Sequence, residues 1–546
     1  MIALSQALRR VGLLDIAAAA AQTAIDLAPR SLPAWRARAQ SLDQSGKHGD
    51  ALKAWQSVTA LQSPPSRQVH RRLAALHHLL GNPTAAALHW QAADTYPPAL
   101  PHHAMQKVSG PLRRVPVTVS PAVRIDTGGG TAQAAEVSLA ASTDGVLVAA
   151  WNDLREAGVD GEWRLGWATS EDGGQTWTDD VLRPPGALPE DFEGDPMTAF
   201  DPHTGTLWVG GTQFFGDELF LSRRPAGATA FTPPDIVSTG TLDRAQLAVG
   251  PAPGQPQITL LHMAHISGLQ TSADLGQTWG PIVEWQDFGF AHHPTMGPDG
   301  EVYVTYSDFA ERILLQRSLD GGASLEPPVE VAIRLDTWDP QDGSRFPGQF
   351  RVAPLPYLAS SPVDGTLYCV YFDTTEILAG QANVDLYLTR STDRGLTWSP
   401  PAIANGDTDP PGDQFHPWIE VDDRGRVHLV FFDTRHTIQD DDVEDGRIDV
   451  YHSVSDDAGT TWTETRLTSE PFGTAVIAWP VTLPQFLGDY LGLATAGDRT
   501  WVAYPTTENG DLDLFVREIL IDDAIFSDGF ESGTLTAWAG SAVARR

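Results

Sequence analysis

The chain has 546 residues, with 36 Lys and Arg against 70 Asp and Glu, for a formal net charge of −34. Such an acidic surface repels phosphate backbones and anionic lipid, which excludes nucleic acid and acidic membranes as partners. No apolar run approaches the roughly 20 residues of a membrane span. The length allows more than one domain and a large core. The single cysteine, Cys369, excludes an intrachain disulfide and sits in an apolar run that reads as a buried strand.

Residues 1–100 differ from the rest. They hold ten Lys or Arg against five Asp and no Glu, a charge of +5 that leaves −39 for the remainder. Only four of the 50 glycines fall here, and the apolar residues recur at helical spacing. Gly12, Gly46 and Gly81 are 34 and 35 residues apart, each followed five residues later by Ala17, Ala51 and Ala86. This period resembles the tetratricopeptide repeat, which implies stacked helix pairs and a groove for a peptide or protein partner. Met1 falls inside the first helix of a repeat, so upstream sequence is expected. No signal peptide of the basic, apolar, small-residue kind follows it. A linker is expected over 101–114.

From 115 to 520 the pattern changes to short strands of Val, Leu, Tyr, Trp and Thr broken by Gly, Pro and Asp turns. Five near-copies of one phrase punctuate it: SEDGGQTW from Ser170, SADLGQTW from Ser272, SLDGGASL from Ser318, STDRGLTW from Ser391 and SDDAGTTW from Ser455. Its Asp suits a turn that bonds backbone amides, its Gly a positive φ, and its Trp a buried anchor on the next strand. Ahead of each phrase runs an apolar strand, several ending in aromatic-x-Asp, as at Trp151-Asn152-Asp153, Tyr306-Ser307-Asp308, Tyr371-Phe372-Asp373 and Phe431-Phe432-Asp433. Four antiparallel strands per unit, radially repeated, describe an all-β propeller. The Asp phrases resemble the Asp-boxes of sialidase-type (BNR-repeat) propellers.

The 102 residues between Asp172 and Asp274 leave room for an extra unit without a box. Together with three strands after the last box, this favours seven blades, against the six that the sialidase resemblance implies. Residues 115–125 are expected to close the incomplete blade. Residues 521–546 form a tail whose IFSDGFESG phrase resembles a C-terminal tail of exported proteobacterial proteins, which implies an exported or extracellular bacterial protein.

Strand order fixes the faces. The boxes are third–fourth turns on one face, and the second–third loops and blade connections converge around the axis on the other. That face is expected to carry Asp153, Arg155, Asp308, Asp373, Asp433 and Arg435 from loops. Connections supply Glu136, Asp195, Arg244, His292, His293, Arg351, His416, Asp489 and Tyr490. Each repeated Asp also reads as a strand-end cap on its own loop.

Sialidases use arginines for the sugar carboxylate, a tyrosine nucleophile primed by a glutamate, and an Asp acid/base. The resemblance therefore implies Asp153 as acid/base, Tyr490 as nucleophile and Glu136 as third catalytic candidate. Arg155, Arg244, Arg351, Arg435 and Asp433 become candidates for substrate binding. The family's opening Phe/Tyr-Arg-Ile-Pro phrase is absent, and Ala134-Ala135-Glu136-Val137 stands in its place. Three functions follow: a propeller binding a glycan or glycoprotein on its axial face, an exo-sialidase-type glycoside hydrolase, or a repeat-based scaffold. No cofactor is implied. Residues 440–446 (DDDVEDG) are dense enough in carboxylates for Ca²⁺, although Val443 breaks the EF-hand spacing and a solvated acidic loop explains them. No metal set is expected around His292 and His293, which lack spaced companions.

Overall fold

A computed structural model of the chain describes residues 14–27, 29–44, 47–61, 73, 85, 88, 116–127, 133–153, 164–183, 193–213, 218–239, 244–287, 289–308, 312–334, 351–378, 381–406, 412–436, 447–473 and 486–521. The chain divides into two compact units, residues 1–106 and 107–546.

In the first unit the described helices are Leu14–Leu27, Leu32–Gln44 and His48–Leu61. Consecutive helices pack through small residues, with Ala39, Ala51 and Val58 fully buried beside Trp55 and Leu42. The expected array of three helix pairs needs six helices. Three short ones are described, so the tetratricopeptide array and the partner assigned to its groove are not supported. Of the spaced small residues, Ala17 and Ala51 are described and are fully buried, a role that needs no array. No described helix is long and apolar enough to cross a membrane.

The second unit contains seven antiparallel sheets among its described residues. In chain order, the first six blades open with the inner strands Ala134–Ala141, Glu193–Asp201, Gln246–Ala252, Phe290–Met296, Tyr357–Ser360 and Gln414–Val421. The seventh opens with Gly492–Ala496. Each inner strand packs on the next, and the seventh packs on the first, so the ring closes. This is the propeller, and its seven sheets match the count made from box spacing. The second and seventh blades are the two without a box. In the third blade a bridge between Leu269 and Val283 stands where a fourth strand would be.

Closure follows the expected route. Val117–Val119 and Val123–Arg124 both pair antiparallel with Asp513–Ile521, completing the seventh blade from the far end of the domain. Blades pack through apolar strands buried on both faces, with Trp151, Trp208 and Trp501 among the largest fully enclosed side chains. Cys369 lies fully buried in the fifth blade, and burial pushes its thiol well up, which makes it inert.

The Asp-boxes are turn locks. In the fourth repeat of the phrase, Ser391 Oγ donates to Asp393 Oδ1 at 2.8 Å and accepts the Gly395 N–H at 2.9 Å. Asp393 in turn accepts from the Thr397 amide at 2.9 Å and hydroxyl at 2.5 Å. The same bonds recur at Asp172, Asp274, Asp320 and Asp457.

Candidate functional site on the axial face

Backbone conformation marks the site before any side chain does. Among the described non-glycine residues, eight have positive φ, a costly region for side chains with a Cβ. Leu275, Arg394 and Ala458 lie in Asp-boxes. The other five, Glu136, Asp195, Arg244, Ala291 and His416, stand at the mouths of five inner strands. At four of them the strand register shifts across the residue, between Ala135 and Ser138, Gly194 and Met197, Phe290 and His293, and Phe415 and Trp418. A bulge of this kind re-aims one side chain out of the pleat. Repeated around the ring, it brings side chains from separate blades together at the axis.

What converges there is a buried cluster of guanidinium, phenol and carboxyl groups. Arg244 Nη2 donates to Tyr357 Oη at 3.0 Å, and Tyr357 Oη donates to the Asp489 carbonyl at 2.8 Å. The Arg244 Cζ lies 5.3 Å from both the Tyr357 and the Tyr490 ring centroids, so two aromatic faces hold the guanidinium. Its backbone N–H donates to Asp195 Oδ2 at 2.7 Å, while Nε and Nη1 are buried and bonded to nothing. Arg351 Nη2 forms a 2.6 Å ion pair with Asp489 Oδ2. Glu136 accepts the Asp489 N–H at 3.2 Å and the Asn152 side-chain amide at 2.6 Å. Tyr490 Oη is buried without a hydrogen-bond partner. His293, Tyr357, Trp418 and Tyr490 form the aromatic wall, with neighbouring centroids 4.9–5.9 Å apart.

Electrostatics follow from burial. Glu136 is pushed well above the carboxylate range by desolvation, then by the charges of Asp489 and Asp195. Tyr490 is pushed up by burial, then by Glu136 and Asp195, with Arg244 pulling the other way. His416 is held neutral by burial and by the two arginines, and His293 falls to about 3 by burial and Arg244. A buried acid beside a phenol and a guanidinium with two free donors can bind an acceptor-rich ligand and move a proton.

Of the residues expected at this face, the structure brings Glu136, Tyr490, Arg244 and Arg351 into one cluster, along with Asp195, Asp489, His293 and His416. Asp153 ends the second strand of the first blade, where the Trp151 indole donates to it at 2.9 Å; its neighbour Asn152 is the residue that bonds Glu136. Arg435 and Asp433 pair with each other at 2.6 Å, and Arg435 reaches Glu464 at 3.0 Å while lying over the Tyr451 ring. Those two residues form an ion pair of the sixth blade instead of facing the axial arginines. Asp433, Asp308 and Asp373 each accept a nearby loop amide, the capping role. His292 stacks between Trp285 and Tyr306. Arg155 and residues 440–446, with the Ca²⁺ reading, lie outside the described residues, as does the C-terminal tail. Sequence reasoning missed Tyr357 and Trp418. Both fall on inner strands, where a count from each strand's mouth locates them.

No family model matches the sequence, and no curated protein does. Among solved structures, the chain is similar to a protein of unknown function from Dyadobacter fermentans DSM 18053, at 14% identity and TM-score 0.42, covering 74% of this chain and 99% of that one. The intramolecular trans-sialidase of Ruminococcus gnavus, in complex with oseltamivir carboxylate, matches at 12% and 0.39, over 55% of this chain and 89% of that one. The α-L-arabinanase of Penicillium chrysogenum, complexed with arabinobiose, matches at 15% and 0.39, over 70% and 93%.

Proposed function

We propose that the axial face binds a glycan through a terminal sugar that carries a carboxylate. One observation carries this reading: the Arg244 guanidinium is buried between two tyrosine rings with two N–H groups unbonded, beside the equally unbonded Tyr490 hydroxyl. A carboxylate accepting from one of these nitrogens would satisfy a donor that is otherwise costly to bury. The aromatic wall offers an apolar surface to a sugar ring.

The test is calorimetric titration of the protein with N-acetylneuraminate and galacturonate, each against a neutral sugar. The carboxylated ligands should bind tighter by roughly tenfold or more, and Arg244→Lys should remove that preference, since a hydrogen bond between the buried guanidinium and a carboxylate is worth about 1.5–3 kcal/mol. Equal binding of neutral sugars, or a preference that survives Arg244→Lys, rejects the reading.

A second reading, glycoside hydrolysis, is favoured by the meeting of Glu136 and Tyr490 in one buried cluster, where Glu136 accepts the N–H of the residue before Tyr490. There Tyr490 attacks the anomeric carbon as the glycosidic C–O bond breaks, and Glu136 takes the phenol proton. Asp153 is the candidate acid that protonates the departing oxygen, and water then hydrolyses the sugar–tyrosine bond. Fluorophore release from an aryl sialoside or aryl arabinofuranoside, abolished by Tyr490→Phe, would support it. Saturable binding without release would leave the first reading alone standing.

A further inference from the structure

Further along the same inner strands lies a second feature, which shares only His293 and Trp418 with the aromatic wall. Two residues past Glu136 and Arg244 stand Ser138 and Gln246, and two and four past His416 stand Trp418 and Glu420. With Thr198, His293 and Thr295 they line a cavity of about 100 Å³. Glu420 is the one carboxylate in that wall, and no Lys or Arg lines it. Its hydrogen-bond donor is the Trp418 side chain, which brings no charge. A half-buried carboxylate without a counter-charge still carries a desolvation cost, and a cation beside it offsets that cost.

The rest of the wall is suited to such a cation. Ser138 and Thr198 place their hydroxyl oxygens 2.9 Å apart. Thr295 adds a third hydroxyl. The His293 ring gives its N–H to the Leu358 backbone carbonyl, leaving Nδ1 buried without a partner and with its lone pair free. A metal-binding imidazole is commonly oriented in this way. Gln246 Nε2 is also buried and unbonded, and a half-turn of the amide presents the oxygen instead. One carboxylate, one neutral imidazole and several hydroxyl or amide oxygens form a mixed oxygen and nitrogen set for a divalent ion. No three His, Cys, Asp or Glu side chains form a metal-binding group among the described residues, so this site depends on the hydroxyls and the amide.

We propose that the axial cavity beneath the sugar site binds one divalent cation through Glu420 and His293, supported by Ser138, Thr198, Gln246 and Thr295. The experiment uses the full chain, stripped by chelator and dialysed against Ca²⁺, Mn²⁺ or Zn²⁺ separately. Bound metal per chain and the thermal midpoint are both read. The expected result is one ion per chain, a raised midpoint, and at least a tenfold loss of affinity in Glu420→Gln. A preference for Mn²⁺ or Zn²⁺ would support His293 as a ligand, whereas a preference for Ca²⁺ would overturn its place in the set.

Glu420→Gln keeps the shape and removes the half-buried, uncompensated charge, so its metal-free form should melt above metal-free wild type. Thr198→Val serves as an independent variant and should also weaken binding. No saturable binding by any of the three ions overturns the proposal. So does binding of equal strength in Glu420→Gln and Thr198→Val, which would put the ion elsewhere on this acidic chain.

Discussion

Tyr357 shows how much one oxygen can organise. Its hydroxyl accepts from Arg244 at 3.0 Å and donates to the Asp489 carbonyl at 2.8 Å, joining three blades through one atom. Tyr357→Phe keeps the ring under the guanidinium but leaves a buried carbonyl and a third guanidinium N–H without that partner. The expected cost is about 1–3 kcal/mol of stability, checked by urea unfolding, with weaker binding of carboxylated sugars. An unchanged midpoint would mean that water replaces the hydroxyl. At this scale the site was legible wherever the repeat fixed the mouth of an inner strand, as at Glu136, Arg244 and Tyr490. It was misread at Arg435, because loop position does not say which way a long side chain turns. Asp433, two residues earlier, pairs with it locally. Tyr357 was hidden because the extended stretch after Arg351 delays the start of the fifth inner strand.

Among the repeated elements, the Asp-box proves to be a latch between blades as well as a turn. Its fourth residue takes positive φ at Gly173, Leu275, Arg394 and Ala458, which turns its carbonyl outward. The preceding blade fills that acceptor: Trp501 bonds Gly173 at 3.1 Å, Trp208 bonds Leu275 at 3.4 Å, Arg390 bonds Ala458 at 3.1 Å, and Arg317 bonds Arg394. The sequence displays the Asp, Gly and Trp of the turn, yet the donor lies 67–328 residues away and is invisible to it. The turn carboxylates also set an acid limit. Bonds from Thr176 and Thr397 hold Asp172 and Asp393 down to about 2. For a depressed carboxyl, the stabilisation is full above the unfolded value of 3.8 and is lost as pH falls toward 2. Asp393→Asn should lower the thermal midpoint at pH 7 and flatten its decline between pH 4 and 2. A decline as steep as that of wild type would show that this box does not titrate with folding.

The whole ring depends on one seam, where the first strands of the domain meet the last. The sequence showed that the seventh blade was incomplete and which segment could complete it, because three strands after the final box leave an edge that must be paired. In the first hundred residues it does not fix the arrangement, because small residues at helical spacing serve any helix–helix contact. At the seam, Asp126 Oδ1 accepts the Leu514 N–H at 3.1 Å, and Arg124 bonds Asp126 at 3.1 Å and Asp513 at 2.7 Å. Burial pushes Asp126 up to about 7, against the pull of Arg124. The sign of the consequence is opposite to that of the boxes. Between the unfolded value of 3.8 and about 7 the folded chain holds a proton that the unfolded chain has released. Stability from this group is therefore full below 3.8 and falls as pH rises through about 7. Asp126→Asn keeps an oxygen for the Leu514 N–H and cannot ionise. Its thermal midpoint, relative to wild type, should rise from pH 4 to pH 7 and then level off. Parallel curves for the two proteins would mean that Arg124 keeps Asp126 ionised throughout, and that the seam owes its hold to strand pairing alone.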